Sequence, residues 1–185
     1  MTLNQYLILE SISDLSENQK ELSQNSERVS DKALLNFRWI GLIKISLPNA
    51  KIIHCTRDSR DNCLSIFKNF FAGDLGFAYN LKELGYFHNI YRDLMAHWNN
   101  VLPNYIYNIS YEKLIQNQKE ETYKLLKFCN LEWSENCMKF HKNSRPIATA
   151  SLAQARRPIY KDSMQSWKKY ESQLSTLLNA LNKSI

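Results

Sequence analysis

The hydrophobic pattern is clearest over residues 86–101, where apolar side chains recur at helical spacing. One face of this predicted helix carries Phe87, Ile90, Tyr91, Leu94, Met95, Trp98 and Val101. Pro103 follows and marks the end of the helix. Weaker versions of the same pattern predict further helices over 3–24, 33–46, 59–72, 118–129, 134–141, 163–170 and 173–182.

Two short apolar runs predict strands between these helices. The run KIIHCT at 51–56 follows a Pro-Asn turn signal, and the run YIYNIS occupies 105–110. Strands that alternate with helices favour an α/β fold, in which a parallel sheet is flanked by helices. We assign residues 1–27 to a polar helical N-terminal segment, 25–31 to a connector and 28–185 to the main domain.

The composition is that of an ordinary globular chain, with 44% hydrophobic and 23% charged residues. Arg38 and Lys44 interrupt the most apolar segment, so no membrane span is predicted. The N-terminal sequence has neither a basic region nor a long apolar core, so we expect no secretory signal and a cytoplasmic protein. The four histidines and four cysteines show no metal-ligand spacing, so no metal site is predicted.

Positive charge is concentrated towards the C-terminus of a chain whose net charge is +6. Residues 142–170 carry seven lysines and arginines against Asp162 alone. Such a segment is either a solvated surface or an anion-binding surface. A basic nucleic-acid-binding module is one interpretation, but no recognised nucleic-acid motif accompanies the charge, and we expect no specific nucleic acid as a partner.

The segment that follows the strand at 51–56 has the residue types of an anion site. Arg57 stands at the carboxyl end of the strand, where parallel sheets bind ligands. The next helix directs its first backbone N–H groups towards the same place, and Ser65 lies about two turns into it. Arg57 and Ser65 can therefore converge on one phosphate. The alternative is that Arg57 only pairs with Asp58 or Asp61.

Four more segments accompany this strand-Arg-Asp-x-Arg-Asp-x-x-x-Ser pattern in chain order. They are DKALLNFRWIGLI (31–43), ISYEKLI (109–115), LLKFCNLEW (125–133) and TASLAQARRPIYKDSMQSWKKYE (149–171). Together the five segments resemble the sulfotransferase family over about residues 28–182. The most similar group is the bacterial tetratricopeptide-repeat sulfotransferases, which are related to protein-tyrosine sulfotransferases.

The resemblance implies a P-loop-NTPase-like sulfotransferase fold and an enzyme of the transferase class. The reaction would move a sulfuryl group from 3′-phosphoadenylyl sulfate to an acceptor hydroxyl, with protein tyrosine as a candidate acceptor. Adenosine 3′,5′-bisphosphate would be the product, and no metal is required. Arg and Lys suit such a donor because it carries several negative charges and the transfer depends on positioning and charge stabilisation.

The same resemblance implies roles for particular residues. Lys32 would be the catalytic lysine that stabilises charge on the sulfuryl group, Arg57 and Ser65 would bind the 3′-phosphate, Tyr111 would contact the adenine, and Ser151 would approach the phosphosulfate. Arg156, Arg157 and Lys161 would line the same anionic groove. The residue pattern alone leaves other interpretations open: Lys32 also fits a surface lysine, and Tyr111 also fits a packed tyrosine at a strand end.

One part of the family pattern has no counterpart in the sequence. Full-length relatives begin with a strand and a Gly-x-x-Arg-Ser-Gly-Thr loop that grips the donor's 5′-phosphosulfate, whereas residues 1–31 contain no glycine. No counterpart of the family's general-base glutamate is found either. We therefore expect a sheet that is incomplete on its N-terminal side, with an unpaired edge. The chain could then be a non-catalytic remnant or subunit that keeps the 3′-phosphate half-site, or another chain could supply the N-terminal portion.

Overall fold

The strands assemble into one mixed sheet in the computed structural model, which describes residues 6–11, 28–71, 75–143, 156–159 and 163–182, the first of these by backbone alone. In these ranges the strand order is β2-β1-β3-β4. The strands are Tyr6–Ser11 (β1), Arg28–Asp31 (β2), Lys51–Thr56 (β3) and Ile106–Ser110 (β4). The neighbours β3 and β4 run parallel and are flanked by helices, so the predicted α/β class is confirmed.

The N-terminal strands correct the sequence-based expectation. Residues 6–11 form β1 instead of part of a helix over 3–24, and residues 28–31 form β2 instead of a connector. β1 pairs antiparallel with β2 and with β3, where Leu7 lies opposite Ile53. The edge of β3 that we expected to be unpaired is thus covered, because its backbone N–H and C=O groups bind β1. The rest of the predicted helix lies outside the described residues.

The described helices follow the remaining predictions with shifted ends. They are Ile40–Ser46 (α1), Ser59–Phe67 (α2), Leu81–Val101 (α3), Tyr111–Gln116 (α4), Gln118–Phe128 (α5) and Ser175–Leu181 (α6). Short 3-10 helices occupy Asn36–Trp39, Gly76–Tyr79, Glu135–Lys142 and Ser166–Tyr170.

Side-chain caps explain two of the differences between the predicted and the observed helices. α3 begins five residues before the predicted position because the side chain of Asn80 accepts hydrogen bonds from the N–H groups of Lys82 and Glu83. α4 was not predicted, and it begins where the Ser110 hydroxyl accepts a hydrogen bond from the N–H of Lys113.

The chain divides into two compact units. The sheet unit contains the described residues up to Thr56 together with Tyr91–Ile109, and the helical unit contains the described residues of Arg57–Ile90 and those from Ser110 onwards. In the helical unit one apolar cluster forms the core: Cys63, Leu64, Ile66, Ala78, Leu84, Trp167, Leu174 and Leu177. Burial of these side chains fixes α2 and α6 in that unit.

The sheet unit is built around buried isoleucines and an aromatic contact. Ile40, Ile52 and Ile53 are almost fully buried. The rings of Phe37 and Tyr91 meet edge to face with their centres 5.3 Å apart.

A chain of polar side chains runs from the interior of the sheet unit, at Tyr91 and His54, to the exposed Asn108. Nδ1 of His54 lies 2.6 Å from Oδ1 of Asn108, which only accepts, so Nδ1 carries the proton. Nε2 of His54 then accepts from the hydroxyl of Tyr91. Burial lowers the pKa of His54 from its usual 6.5, and the hydrogen bond to Asn108 opposes this only in part. The ring is therefore held neutral and in one tautomer.

Candidate functional site

Two of the predicted site residues meet in the helical unit. Arg57 directly follows β3, and Tyr111 directly follows β4. Because β3 and β4 are parallel neighbours in the sheet, both residues follow the carboxyl ends of their strands. The guanidinium carbon of Arg57 lies over the ring of Tyr111, 5.0 Å from its centre. This geometry is a cation–π contact, which orients the guanidinium plane.

Ser163 joins these two residues and was not predicted. Nη2 of Arg57 donates a hydrogen bond to the backbone oxygen of Ser163 at 2.5 Å. The hydroxyl groups of Tyr111 and Ser163 share a hydrogen bond of 2.8 Å. Ser163 falls within the segment 149–171 that resembles the donor-binding loop, but no local pattern distinguishes it from the other serines there. The three residues form a cluster that we call the Arg57–Tyr111–Ser163 cluster.

A carboxylate fixes the backbone at the start of this site. The N–H of Asp58 donates to Oε1 of Glu112 at 2.8 Å, and the hydroxyl of Ser110 donates to Oε2 at 2.9 Å. Glu112 therefore ties the residue after Arg57 to the turn that carries Tyr111. Sequence reasoning missed this role because the two segments lie far apart in the chain.

Asp58 caps α2. Its Oδ1 accepts hydrogen bonds from the N–H groups of Arg60 and Asp61, and its Oδ2 lies 2.5 Å from Nη2 of Arg60. Burial raises the pKa of Asp58, but the hydrogen bonds and the charge of Arg60 outweigh burial and hold the pKa below the usual 3.8. The carboxylate that follows Arg57 thus serves as a helix cap and as the partner of Arg60.

Asp61 holds the C-terminal turn. Its Oδ1 accepts from the hydroxyl of Ser166 and from the N–H of Trp167, both at 2.9 Å, and its Oδ2 accepts from the N–H of Gln165 at 2.6 Å. The two acids proposed as alternative partners of Arg57 therefore both have well-defined structural roles, and Arg57 itself meets Tyr111 and Ser163.

Cations of α2 also bind aromatic rings of the C-terminal 3-10 helix. The guanidinium carbon of Arg60 lies 4.1 Å from the ring centre of Trp167. Nζ of Lys68, the residue after α2, lies 5.1 Å from the ring centre of Tyr170. These contacts attach the C-terminal residues along α2 at two points.

The other predicted residues lie in different parts of the structure. Ser65 lies on α2, half-buried, in the same unit as Arg57 and Tyr111. Lys32 directly follows β2 in the sheet unit and is exposed. Arg156 and Arg157 are described as a turn and a bend, half-buried and exposed respectively. Ser151 and Lys161 lie outside the described residues.

Other chemistries find little support among the described residues. In those ranges no group of three or more His, Cys, Asp or Glu side chains could hold a metal ion. Burial raises the pKa of Cys55 to about 11 and that of Cys63 to about 12, so neither thiol is an activated nucleophile. No described helix combines the length and hydropathy that crossing a membrane demands.

Sequence comparison identifies the family. A model of the family described as "Sulfotransferase family" matches residues 4–135. This chain belongs to the sulfotransferase family. The matched range includes Lys32, Arg57, Ser65 and Tyr111, whereas Ser151 and Ser163 lie beyond it. The match begins within the segment 1–27 that we set apart, and the division at residue 27 stays a prediction.

One relative extends the comparison. This sulfotransferase chain is 36% identical over 164 residues to a protein of Aquifex aeolicus (strain VF5) that is described as an uncharacterized protein. The alignment covers 87% of this chain and 22% of the relative. The chain thus spans about a fifth of the length of that relative. Membership of a sulfotransferase family implies a sulfate donor.

Proposed function

We propose that the chain binds 3′-phosphoadenylyl sulfate and takes part in transferring its sulfuryl group to an acceptor hydroxyl, with protein tyrosine as the candidate acceptor. The observation that carries this proposal is the Arg57–Tyr111–Ser163 cluster. It combines a guanidinium, an aromatic ring and a hydroxyl within one unit of a chain whose family uses a sulfate donor.

The chemistry of these groups suits the 3′-phosphoadenosine end of the donor. A guanidinium stays charged at all physiological pH values and binds phosphate oxygens in pairs. An aromatic ring offers a stacking surface to adenine. At the N-terminal end of α2 the N–H groups of Arg60 and Asp61 donate to the Asp58 carboxylate, so the positive charge for the phosphate is assigned to Arg57. Ser65 on α2 supplies the hydroxyl that the family resemblance assigns to the 3′-phosphate.

The sulfuryl end of the donor requires other groups. By resemblance we assign Lys32 to stabilising charge on the transferring sulfuryl group, and Ser151 to contacting the phosphosulfate. No counterpart of the Gly-x-x-Arg-Ser-Gly-Thr loop is present in residues 1–31. We therefore propose that a further polypeptide segment, in the same or another chain, binds the 5′-phosphosulfate. A chain that binds the nucleotide without turnover is the second candidate, and the absence of glycine from residues 1–31 favours it.

Calorimetry with adenosine 3′,5′-bisphosphate tests the nucleotide half of the proposal. Arg57→Ala should weaken binding by about ten- to a hundredfold, because a charged hydrogen bond contributes about 1.5–3 kcal/mol. The control is Arg92→Ala, which removes an exposed guanidinium whose partner is Asp93 on the same helix. Equal affinities for the wild type and the Arg57 variant would remove Arg57 from the site.

A titration with duplex DNA tests the nucleic-acid alternative. Binding through the basic segment 142–170 should be weak and should fall steeply as salt is raised, because it depends on counterion release. It should not compete with adenosine 3′,5′-bisphosphate. Tight, sequence-selective binding at physiological salt would favour a nucleic-acid-binding function instead.

A further inference from the structure

Asp61 connects the start of α2 to the C-terminal turn. Its side chain lies at only 2% exposure, and its two oxygens accept the three hydrogen bonds from Gln165, Ser166 and Trp167. A buried carboxylate without partners would be strongly destabilising, whereas one that accepts several charge-assisted hydrogen bonds is held firmly. The turn therefore depends on this carboxylate for its position.

The backbone conformation of the turn is a second, independent indication that the position of the turn depends on Asp61. Gln165 adopts a left-handed conformation with φ of 56°, which is uncommon for residues other than glycine. Its N–H donates to Asp61 at 2.6 Å. A conformation of this kind persists when surrounding contacts determine it. The hydrogen bond to Asp61 is the contact that joins this residue to α2, while Lys168 donates to its backbone and side-chain oxygens from within the turn.

The turn held by Asp61 also carries Ser163. Two residues before Gln165, Ser163 accepts the hydrogen bond from Arg57 through its backbone oxygen and meets the hydroxyl of Tyr111 through its side chain. A displacement of the turn would therefore move the group that orients Arg57 and Tyr111. Asp61 and Ser65 are four residues apart on α2 and so share one face of the helix. The turn is thus attached on the helix face that carries Ser65.

We propose that Asp61 is a positioning residue of the nucleotide site: it does not touch the donor, and it orients Arg57 and Tyr111 by holding the turn from Ser163 to Trp167. This role rests on the proposed binding of 3′-phosphoadenylyl sulfate. An asparagine in place of Asp61 keeps the shape but replaces one acceptor oxygen with an NH₂ donor, so it cannot accept all three hydrogen bonds.

The first measurement examines the turn without any nucleotide. Asp61→Asn should accelerate hydrogen exchange at the backbone N–H groups of Gln165 and Trp167, because both donate to the carboxylate. Asp93→Asn is the matched control, since it makes the same chemical change on the exposed surface of α3. Ser166→Ala is a milder second variant that removes one of the three donors and leaves the carboxylate in place. Unchanged exchange in both the Asp61 and the Ser166 variants would overturn the proposal.

The second measurement is calorimetry with adenosine 3′,5′-bisphosphate, below the unfolding temperature of every variant. Asp61→Asn should bind about tenfold more weakly than the wild type, a change typical of coupling between two sites. If Asp61 acts by orienting Arg57, the double variant Asp61→Asn with Arg57→Ala should lose less affinity than the product of the two single losses, because alanine leaves no guanidinium to orient. A purely structural role predicts that the losses multiply.

The outcomes separate the two proposals. Wild-type binding with an unchanged affinity in Asp61→Asn would overturn the positioning role and leave the proposed function intact. The same conclusion would follow if the two losses multiplied in the double variant. Absence of wild-type binding would overturn the proposed function and the positioning role together.

Discussion

The guanidinium of Arg57 stacks on the ring of Tyr111, with the guanidinium carbon 5.0 Å from the ring centre. Each residue follows the last residue of a strand, and the two strands are parallel neighbours in the sheet. A charged group and an aromatic ring are thereby joined at the point where an α/β fold commonly binds its ligand. The predictions below begin with this pair.

Two substitutions of Tyr111 separate its ring from its hydroxyl. Tyr111→Phe removes the hydrogen bond to Ser163 and should weaken adenosine 3′,5′-bisphosphate binding by only about two- to tenfold, the value of a neutral hydrogen bond. Tyr111→Ala also removes the stacking surface and should cost about 1–3 kcal/mol of binding free energy. Calorimetry measures both, with the exposed Tyr123→Ala as the control. If all three variants bind like the wild type, Tyr111 is only a packed residue at a strand end.

Gly85 should not tolerate a methyl group. In an ordinary helix, alanine in place of glycine stabilises by about 0.5–1 kcal/mol. A Cβ at Gly85 would lie 2.6 Å from Cβ of Ala180 and 3.3 Å from the backbone oxygen of Leu177, so α3 and α6 would have to move apart. Gly85→Ala should therefore lower the free energy of unfolding by about 1–3 kcal/mol. Urea denaturation gives this value.

Gly76→Ala is the matched control for that experiment. A Cβ at Gly76 would meet no atom within 4 Å, so this substitution should leave the free energy of unfolding nearly unchanged. Adding Ala180→Gly to Gly85→Ala should restore part of the loss, because it removes the clashing methyl group. Equal effects of the Gly76 and Gly85 variants would show that the two helices do not approach as closely as described.

His54 should make the protein less stable in mild acid. Burial lowers its pKa in the folded state below the 6.5 of an exposed histidine, so the unfolded state takes up its proton first as the pH falls. The free energy of unfolding should accordingly be highest above pH 6.5 and should decrease as the pH drops below that value towards the lowered pKa. Urea denaturation at a series of pH values gives the slope.

One variant separates the contribution of His54 to this pH dependence of stability from the contributions of the other histidines. His54→Gln removes the titrating ring but keeps groups that can hydrogen-bond to Asn108 and Tyr91. Its stability should fall less between pH 7.5 and pH 5, whatever its stability at neutral pH. His97→Gln is the control, because that side chain is exposed. The same pH slope in the wild type and in His54→Gln would contradict a neutral, buried His54.

Catalysis should require more than the residues of this chain. We expect the 185-residue chain to transfer sulfate at a negligible rate, since losing even one preorganised donor group typically lowers a rate by about a hundred- to a thousandfold. Adding a polypeptide that carries the Gly-x-x-Arg-Ser-Gly-Thr loop should restore transfer. Radiolabelled sulfate transfer to tyrosine peptides and small alcohols measures the rate. Robust turnover by the chain alone would mean that residues 1–31 contain a donor-binding segment that differs from the Gly-x-x-Arg-Ser-Gly-Thr loop.

The restored activity should depend on Lys32. Lys32→Ala should lower the rate while leaving the affinity for adenosine 3′,5′-bisphosphate unchanged, because the proposed role concerns the sulfuryl group and not the nucleotide. Lys139→Ala, which removes another exposed lysine, should have no effect. A loss of nucleotide affinity in Lys32→Ala with no loss of rate would assign Lys32 a different role.

The sequence determined those elements whose signals lie within a few residues of one another. The apolar run at 51–56 and the turn before it predicted β3 at its observed bounds, and the helical spacing at 118–129 predicted α5 to within one residue. Arg57 could be singled out because it follows such a strand, whereas Tyr111 was singled out through the resemblance of its segment to the family. Neighbouring residues fix strand and helix periodicity, so this information can be obtained without knowing the fold.

Only the tertiary structure decided which distant groups meet. The pairing of β1 with β3 overrode the helical interpretation of residues 6–11, because it satisfies the backbone groups along the edge of β3. Sequence reasoning considered Asp61 as an alternative partner of Arg57, and only the fold brings it to Gln165, Ser166 and Trp167. Hydrogen bonds between residues so far apart in sequence depend on how whole elements pack. No local pattern could reveal them, and packing rather than periodicity set the geometry around Arg57.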